Sequence, residues 1–316
     1  MATNAIPSVP VVDATASVNE IVAALKVAGG VIIRNAVSQE ALDQVEIDVR
    51  PGLENDTAWS GSFFPAQTRR TTAALQKSPT YAREIVMHPL FQGVSNQMLT
   101  EKHWFWAGDQ KQWAVSRPQL SNTIVFSIGP GATAQPLHRD DSIHQRVSKA
   151  VDVYPEGREG SLRDSSIGFF VAGKKATKAN GATRFIPRSH LWDHDAPPNE
   201  DLCEFAEMER GDAFLMMASC FHGGSANTTA DEERLIFSTF MTKGYLRQEE
   251  NIYLAVDLDV MKKYPVEIQK VAGYSLSEPF LGWVDSADPR KLLDKEIPTN
   301  TDMWTGIEEP KDIIAV

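Results

Sequence analysis

Cysteine is scarce in this chain. Cys203 and Cys220 are the only two in 316 residues, enough for one disulfide at most and too few for a thiolate metal cluster. A disulfide-stapled scaffold is therefore excluded, and the simple setting is reducing and cytoplasmic. No run of about 18 apolar residues occurs, so no membrane-spanning helix is expected. Met1 to Pro10 has no basic flank followed by an apolar stretch, so no secretory leader is expected. Basic residues are outnumbered, 31 against 42 acidic, for a formal charge of −11. Such a surface repels nucleic-acid backbones and anionic membranes unless a basic patch intervenes. The densest pair, Arg69-Arg70, is too short to be one. Repeats, low-complexity tracts and long linkers are missing too.

What remains is ordinary globular composition, 42% hydrophobic and 23% charged. A single domain over 1–316 is expected, with a helical N-terminal part (1–112), a strand-rich core (113–286) and a tail (287–316). Ser17 with Glu20 makes a capping box before Ile21, Val22 and Leu25, and Gly29-Gly30 stops that helix. Val31-Ile32-Ile33 reads as a short buried strand. Ser38 opens a second helix expected to end before Pro51, and Tyr81 to Met98 reads as helical with a break near Pro89. Short strands separated by turn residues follow: Thr123 to Ile128, Ser166 to Ala172, Ala213 to Met217 and Arg234 to Met241. The pattern predicts a mainly β protein with flanking helices, a β-sandwich or small barrel, and the strand-rich block is long enough for an eight-stranded double-sheet jelly roll. The polar, acidic, proline-punctuated tail from Ala287 reads as a surface wrap.

Three residues carry the candidate chemistry. His138 and Asp140 form His-x-Asp, and on extended backbone residues i and i+2 share a face. His222 lies just beyond a predicted strand in Cys220-Phe221-His222-Gly223-Gly224. Two imidazoles and one carboxylate make the facial triad of non-haem iron(II) oxygenases. Three protein ligands on one face of an octahedral ion leave three adjacent positions open. A bidentate 2-oxo acid fills two of them and dioxygen the third. The distal carboxylate of such a cosubstrate needs an anchor, and the planar fork of Arg234 suits it. Taken singly, each residue has a plainer reading: His-x-Asp as a surface pair, His222 as a loop residue, and Arg234 as an ion-pair partner of Asp231-Glu232-Glu233. Their order on a strand-rich second half argues for the combination.

The segment Ala134-Gln135-Pro136-Leu137-His138-Arg139-Asp140 resembles the metal-binding strand of the phytanoyl-CoA dioxygenase family, closest to fungal members that tailor secondary metabolites. Asn180-Gly181-Ala182-Thr183 through Pro187-Arg188-Ser189-His190 resembles a second family segment, with Arg188 where glycine is usual. Gly211-Asp212-Ala213, His222-Gly223-Gly224, Arg234 and Leu281-Gly282-Trp283 continue the match, which covers roughly 17–284. The resemblance implies a double-stranded β-helix of cupin type that uses Fe(II) and 2-oxoglutarate. It implies His138, Asp140 and His222 as iron ligands and catalytic centre, Arg234 on the distal carboxylate, and Gln135, Thr183 and Arg69 at the cosubstrate pocket. Asn180-Gly181 also reads as a tight turn, Thr183 as a plain strand residue and His190 as structural.

The implied reaction is oxidation of an apolar small molecule by hydroxylation, desaturation or a related C–H oxidation, coupled to decarboxylation of 2-oxoglutarate. The intact Asp140 argues against halogenation. Trp59, Phe63, Phe64, Trp104, Trp106 and Trp113 either line a pocket for such a substrate or pack helices on the sheet. The charged segment Asp141 to Ser165 is either a substrate lid or a solvated loop. Expected partners are the small-molecule substrate and dioxygen, with a homodimer among the assemblies relatives adopt. Two other classes compete: a zinc-dependent hydrolase using the same His-Asp-His site, for which His-Glu-x-x-His is absent, and a non-catalytic jelly-roll binding protein.

Overall fold

A computed structural model describes residues 8–311. Most of Met1 to Pro10, examined above for a leader, lies outside them, as does the end of the tail. No helix among the described residues is long and apolar enough to cross a membrane.

The first helix, α1 (Val18–Ala28), begins as its sequence predicts. The Glu20 N–H donates to Ser17 Oγ at 3.3 Å and Glu20 Oε2 accepts from the Ser17 N–H at 2.8 Å. Such a cap is worth about 1 kcal/mol. Ile21, Val22, Leu25 and Ala28 form its buried stripe. Gly29 ends it at φ +82°, where a Cβ would fall 2.2 Å from Cys220 Sγ. Only glycine takes that left-handed turn at so close an approach. Helix α2 (Gln39–Glu54) does not end before Pro51 as expected but carries that proline inside its final turns. The proline removes one N–H from the ladder. Burial of Leu53 and the ion pairs of Arg50 with Glu46 and Glu233 offset the loss. A π-turn over Ala82–Val86 leads to a helix at Pro89–Leu99, so the break near Pro89 is real. Pro89 sits in the first turn, where its missing N–H has no intrahelical acceptor anyway.

Twelve strands follow one another along the described chain: β1 (Val11–Asp13), β2 (Gly30–Arg34), β3 (Thr68–Thr71), β4 (Glu101–Ala107), β5 (Gln110–Ser116), β6 (Gln119–Ile128), β7 (Ser166–Ala172), β8 (Thr183–Phe185), β9 (Glu204–Ala206), β10 (Ala213–Met217), β11 (His222–Gly224) and β12 (Arg234–Thr242). Seven of them form one sheet in the order β1-β2-β10-β7-β12-β6-β3, and β11-β8-β9 form a small facing sheet. The two sheets make a jelly roll, the architecture that the resemblance implies. The strand expected at Val31-Ile32-Ile33 is β2, and the first 112 residues are less helical than expected because β1 and β3 join the large sheet with it.

Period-two alternation divides the large sheet between two cores. Leu235, Phe237 and Met241 of β12, Phe169 and Val171 of β7, and Leu215 of β10 face the helices. Ile236, Phe240, Phe170, Phe214 and Met216 face the small sheet, where they meet Phe185 and Ala206. Each such side chain contributes about 1.5–3 kcal/mol relative to exposure. The second face is the interior of the roll, and it holds the site.

One feature differs from expectation. The hairpin β4–β5 is absent from the sequence reading, and it carries Trp104, Trp106 and Trp113 away from the roll interior, with Trp104 and Trp106 exposed. These tryptophans therefore neither line a pocket nor pack helices on the sheet. The tail wraps this hairpin: Trp304 donates from Nε1 to Gln112 Oε1 at 3.1 Å, and Gly306 bridges Trp113. The segment 141–165 is largely exposed to solvent. It is pinned to the flank by Tyr154 Oη donating to Asp164 at 2.7 Å and by the Arg163 guanidinium donating to the His190 carbonyl at 2.8 and 3.1 Å.

Candidate active site

Two chain segments meet at the mouth of the roll. Strand β11 pairs with β8, placing His222 opposite Phe185 and Gly224 opposite Thr183. On its other side the stretch Gln135–His138 lies antiparallel, and His138 and His222 exchange backbone hydrogen bonds of 2.9 Å in both directions. Arg184 locks the assembly from behind. Its guanidinium donates to the carbonyls of Gly224 and Gln135 at 3.0 and 2.9 Å and pairs with Glu200. Asn180-Gly181 forms the turn that feeds β8. Gly181 has φ +101°, and a Cβ there would meet the Ser225 carbonyl at 2.9 Å.

His138, Asp140 and His222 then converge. Asp140 Oδ1 lies 3.3 Å from His138 Nε2, and its Oδ2 lies 3.1 Å from His222 Nε2. One ligand atom from each falls within 4.8 Å of the others, the span a single metal ion bridges. The outer ring nitrogens decide the tautomers. His138 Nδ1 lies 2.8 Å from the Pro136 carbonyl and His222 Nδ1 lies 3.1 Å from the Cys220 carbonyl. A carbonyl only accepts, so each Nδ1 carries the hydrogen and each neutral ring turns a bare Nε2 lone pair to Asp140. Two lone pairs and a carboxylate thus meet with no donor among them. Something positive must stand between them, either a proton or a metal cation. The charges respond accordingly. Burial opposes ionisation of Asp140, yet with a proton held in the trio the charge and hydrogen bonds of His222 and His138 keep its carboxyl well below the usual range. Burial likewise opposes the imidazolium of His222, and the Asp140 charge nonetheless raises its pKa.

A cavity of about 140 Å³ opens beside this trio. Arg234 enters it from the start of β12, where its backbone pairs with Ile128. Arg234 is only 5% exposed, and the adjacent Glu233 points to the other face toward Arg50 and Lys174. The surface ion-pair reading of Arg234 is thereby overturned by strand alternation. Its Nη2 donates to Thr183 Oγ1 at 2.6 Å, while Nε has no partner. Burial pushes its pKa down to about 10. A buried guanidinium without a carboxylate is an anion site. Gln135 also lines the cavity, and its Oε1 accepts from the Gly224 N–H at 3.2 Å.

Arg69 does not belong to this site. Strand β3 alternates, so Thr68 lines the cavity while Arg69 turns away and donates to the carbonyls of Ala66 and Thr68. Of the six aromatic residues singled out, Phe63 and Phe64 line the cavity, and Phe63 packs on His138 with ring centroids 5.0 Å apart. Trp59 supports them, edge-on to Phe64 and stacked by Arg70. Asn122, Phe126, Phe170, Ser238, Phe240 and Glu249 complete the wall. Counting by twos from Arg234 finds Ser238 and Phe240, but Glu249 sits on a loop with no periodic signal. Crowding by the cavity wall raises the Glu249 carboxyl pKa, and the Asp140 charge adds to this, although Asn122 donates to it. His190 takes no part; it is buried behind α1 and Nε2 meets the Lys26 carbonyl at 3.1 Å.

The phytanoyl-CoA dioxygenase family profile matches residues 25–235, which hold the trio and Arg234. The chain belongs to the phytanoyl-CoA dioxygenase family. It is 39% identical over 290 residues to the dioxygenase himG of Aspergillus japonicus, covering 88% of each chain. It is 38% identical to the dioxygenase peniF of Penicillium patulum, covering 95% of this chain and 92% of that one. Such membership makes the protein an oxidoreductase of dioxygenase type and sets aside the zinc hydrolase and the inert binding protein. Solved structures share the fold. SnoN, a non-heme alpha-ketoglutarate-dependent epimerase from nogalamycin biosynthesis, matches with a TM-score of 0.52 at 17% identity, over 72% of this chain and 83% of that one. HygX from Streptomyces hygroscopicus, solved with nickel and 2-oxoglutarate bound, matches with a TM-score of 0.52 at 16% identity, over 74% and 90%.

Proposed function

We propose that this protein is an Fe(II)- and 2-oxoglutarate-dependent dioxygenase that oxidises an apolar small molecule in secondary metabolism. One observation carries the reading: a donor-free trio of ligand atoms and an unpaired buried guanidinium open into the same cavity. His138, Asp140 and His222 would hold the iron through two Nε2 atoms and one carboxylate oxygen. The Nδ1 hydrogens on Pro136 and Cys220 fix both rings for that task. Arg234 would grip the distal carboxylate of 2-oxoglutarate, and Thr183 Oγ1, which already accepts from Nη2, sets the fork's orientation. Gln135 belongs to the same cosubstrate wall. Bound Fe(II) supplies, with dioxygen, the oxidising power that couples decarboxylation of 2-oxoglutarate to oxidation of a C–H bond.

The remaining wall explains an apolar substrate. Phe63, Phe64, Phe126, Phe170 and Phe240 exclude water from the space next to the trio and offer faces for a hydrocarbon surface. Relatives named as fungal dioxygenases, and a structural neighbour from nogalamycin biosynthesis, support a role in tailoring such molecules.

The test is succinate formation by the purified protein supplied with Fe(II), 2-oxoglutarate and air. Iron-dependent succinate is expected, absent with zinc in place of iron and abolished in His138→Ala. Succinate formation that persists without iron, or that survives His138→Ala, would sink the assignment.

A further inference from the structure

The roll interior has two polar ends. Along β6 and β12 the inward residues pair as Ile128 with Arg234, Phe126 with Ile236, Ile124 with Ser238 and Asn122 with Phe240. Six residues of strand separate the first pair from the last, roughly 20 Å at about 3.4 Å per residue. Arg234 marks one end. Asn122 and Glu249 mark the other, with the His-Asp-His trio also on the cavity wall.

The far end holds an amide and a carboxylate. Asn122 is 3% exposed, and its amide N–H donates to Glu249 Oε2. That bond commits the side-chain orientation and leaves Asn122 Oδ1 buried with no partner. A buried carbonyl left unsatisfied costs about 1–3 kcal/mol. Glu249 lines the same space, opens to solvent at the cavity mouth, and has no lysine or arginine paired with it among the described residues. Beside them stands Phe240, edge-on to Phe170 at 5.4 Å. A neutral hydroxyl donates one hydrogen bond to the Glu249 carboxylate and leaves its charge unmatched. An ammonium group donates to that carboxylate, neutralises it and is attracted by an aromatic face.

We propose that the Glu249 carboxylate, oriented by the Asn122 amide, forms a cradle that holds a protonated amine of the substrate. The substrate class is then an apolar, ring-bearing amine, held by its nitrogen at the cavity mouth while its hydrocarbon part lies against the phenylalanines. This rests on the cavity being the substrate site of the dioxygenase described above, and it adds the group by which the substrate is chosen. Glu249 and Asn122 act as specificity-determining residues and not as iron ligands.

Tryptamine and 3-ethylindole test the cradle, since they share shape and differ in the ammonium. Calorimetric titration without oxygen, on the full chain with and without Fe(II) and 2-oxoglutarate, gives both dissociation constants. Tryptamine is expected to bind roughly tenfold tighter or more, the scale of a hydrogen bond to a charged group. Glu249→Gln keeps an acceptor for Asn122 but not the charge, so it should erase the preference by weakening tryptamine alone. Glu249→Asp should retain it. Equal affinities, no tryptamine binding, or a preference that survives Glu249→Gln overturns the cradle. Iron and 2-oxoglutarate binding are measured separately on the same preparations. Their loss with the amine preference intact overturns the dioxygenase site and leaves the cradle standing, and the reverse result overturns the cradle alone.

Discussion

His138 and His222 are bonded to each other twice through their backbones, at 2.9 Å each way, before any ion is considered. The bridge brings their rings to 4.5 Å between centroids and leaves both Nε2 atoms facing Asp140. The geometry of the trio is therefore built by main-chain pairing, and a ligand ring can be removed without dissolving the frame.

That separation predicts a clean loss of metal. His138→Ala and His222→Ala should fold with a near-native circular dichroism spectrum and lose nearly all Fe(II) uptake. Equilibrium dialysis followed by elemental analysis checks this. Full metal occupancy in either variant would show that the ion sits elsewhere.

Arg234→Met removes the cavity's buried cation at similar length. The 2-oxoglutarate requirement should rise by about two orders of magnitude, the scale of losing one partner of a buried charge pair. Iron uptake should change little, because the guanidinium does not touch the trio. Measuring 2-oxoglutarate affinity and iron uptake side by side separates a cosubstrate anchor from a structural role.

Gly181→Ala tests the turn that feeds β8. The φ of +101° and the 2.9 Å approach to the Ser225 carbonyl both oppose a methyl group. A loss of about 1–3 kcal/mol is expected in urea unfolding. An unchanged midpoint would mean that the turn relaxes freely.

His190 predicts a pH effect on stability. Burial holds its pKa down to about 4 against an ordinary 6.5. Between those values the unfolded chain binds the proton and the folded chain does not, so stability falls as pH drops from 6.5 toward 4. The full effect is on the order of 3 kcal/mol. His190→Gln should flatten that part of the profile relative to the parent protein, as read by denaturant unfolding at several pH values.

Much of this molecule was legible in its residues. The capping box at Ser17, the stop at Gly29 and the short apolar strands β7, β10 and β12 between turn residues act over a few residues, so local physics determines them. His138, Asp140, His222 and Arg234 stand out in the sequence as candidates because metal and carboxylate chemistry demands those side chains in an ordered set. Tertiary structure decided the rest. Strand alternation turned Arg69 away from the cavity and Arg234 into it, and that depended on how β3 and β12 pair with β6. The β4–β5 hairpin took three tryptophans off the roll, and a loop with no periodicity brought Glu249 to Asn122. Periodicity tells a side chain which face of its own strand it shares with its neighbours. Only the pairing of distant strands, whose register is a property of the whole sheet, tells it what that face will meet.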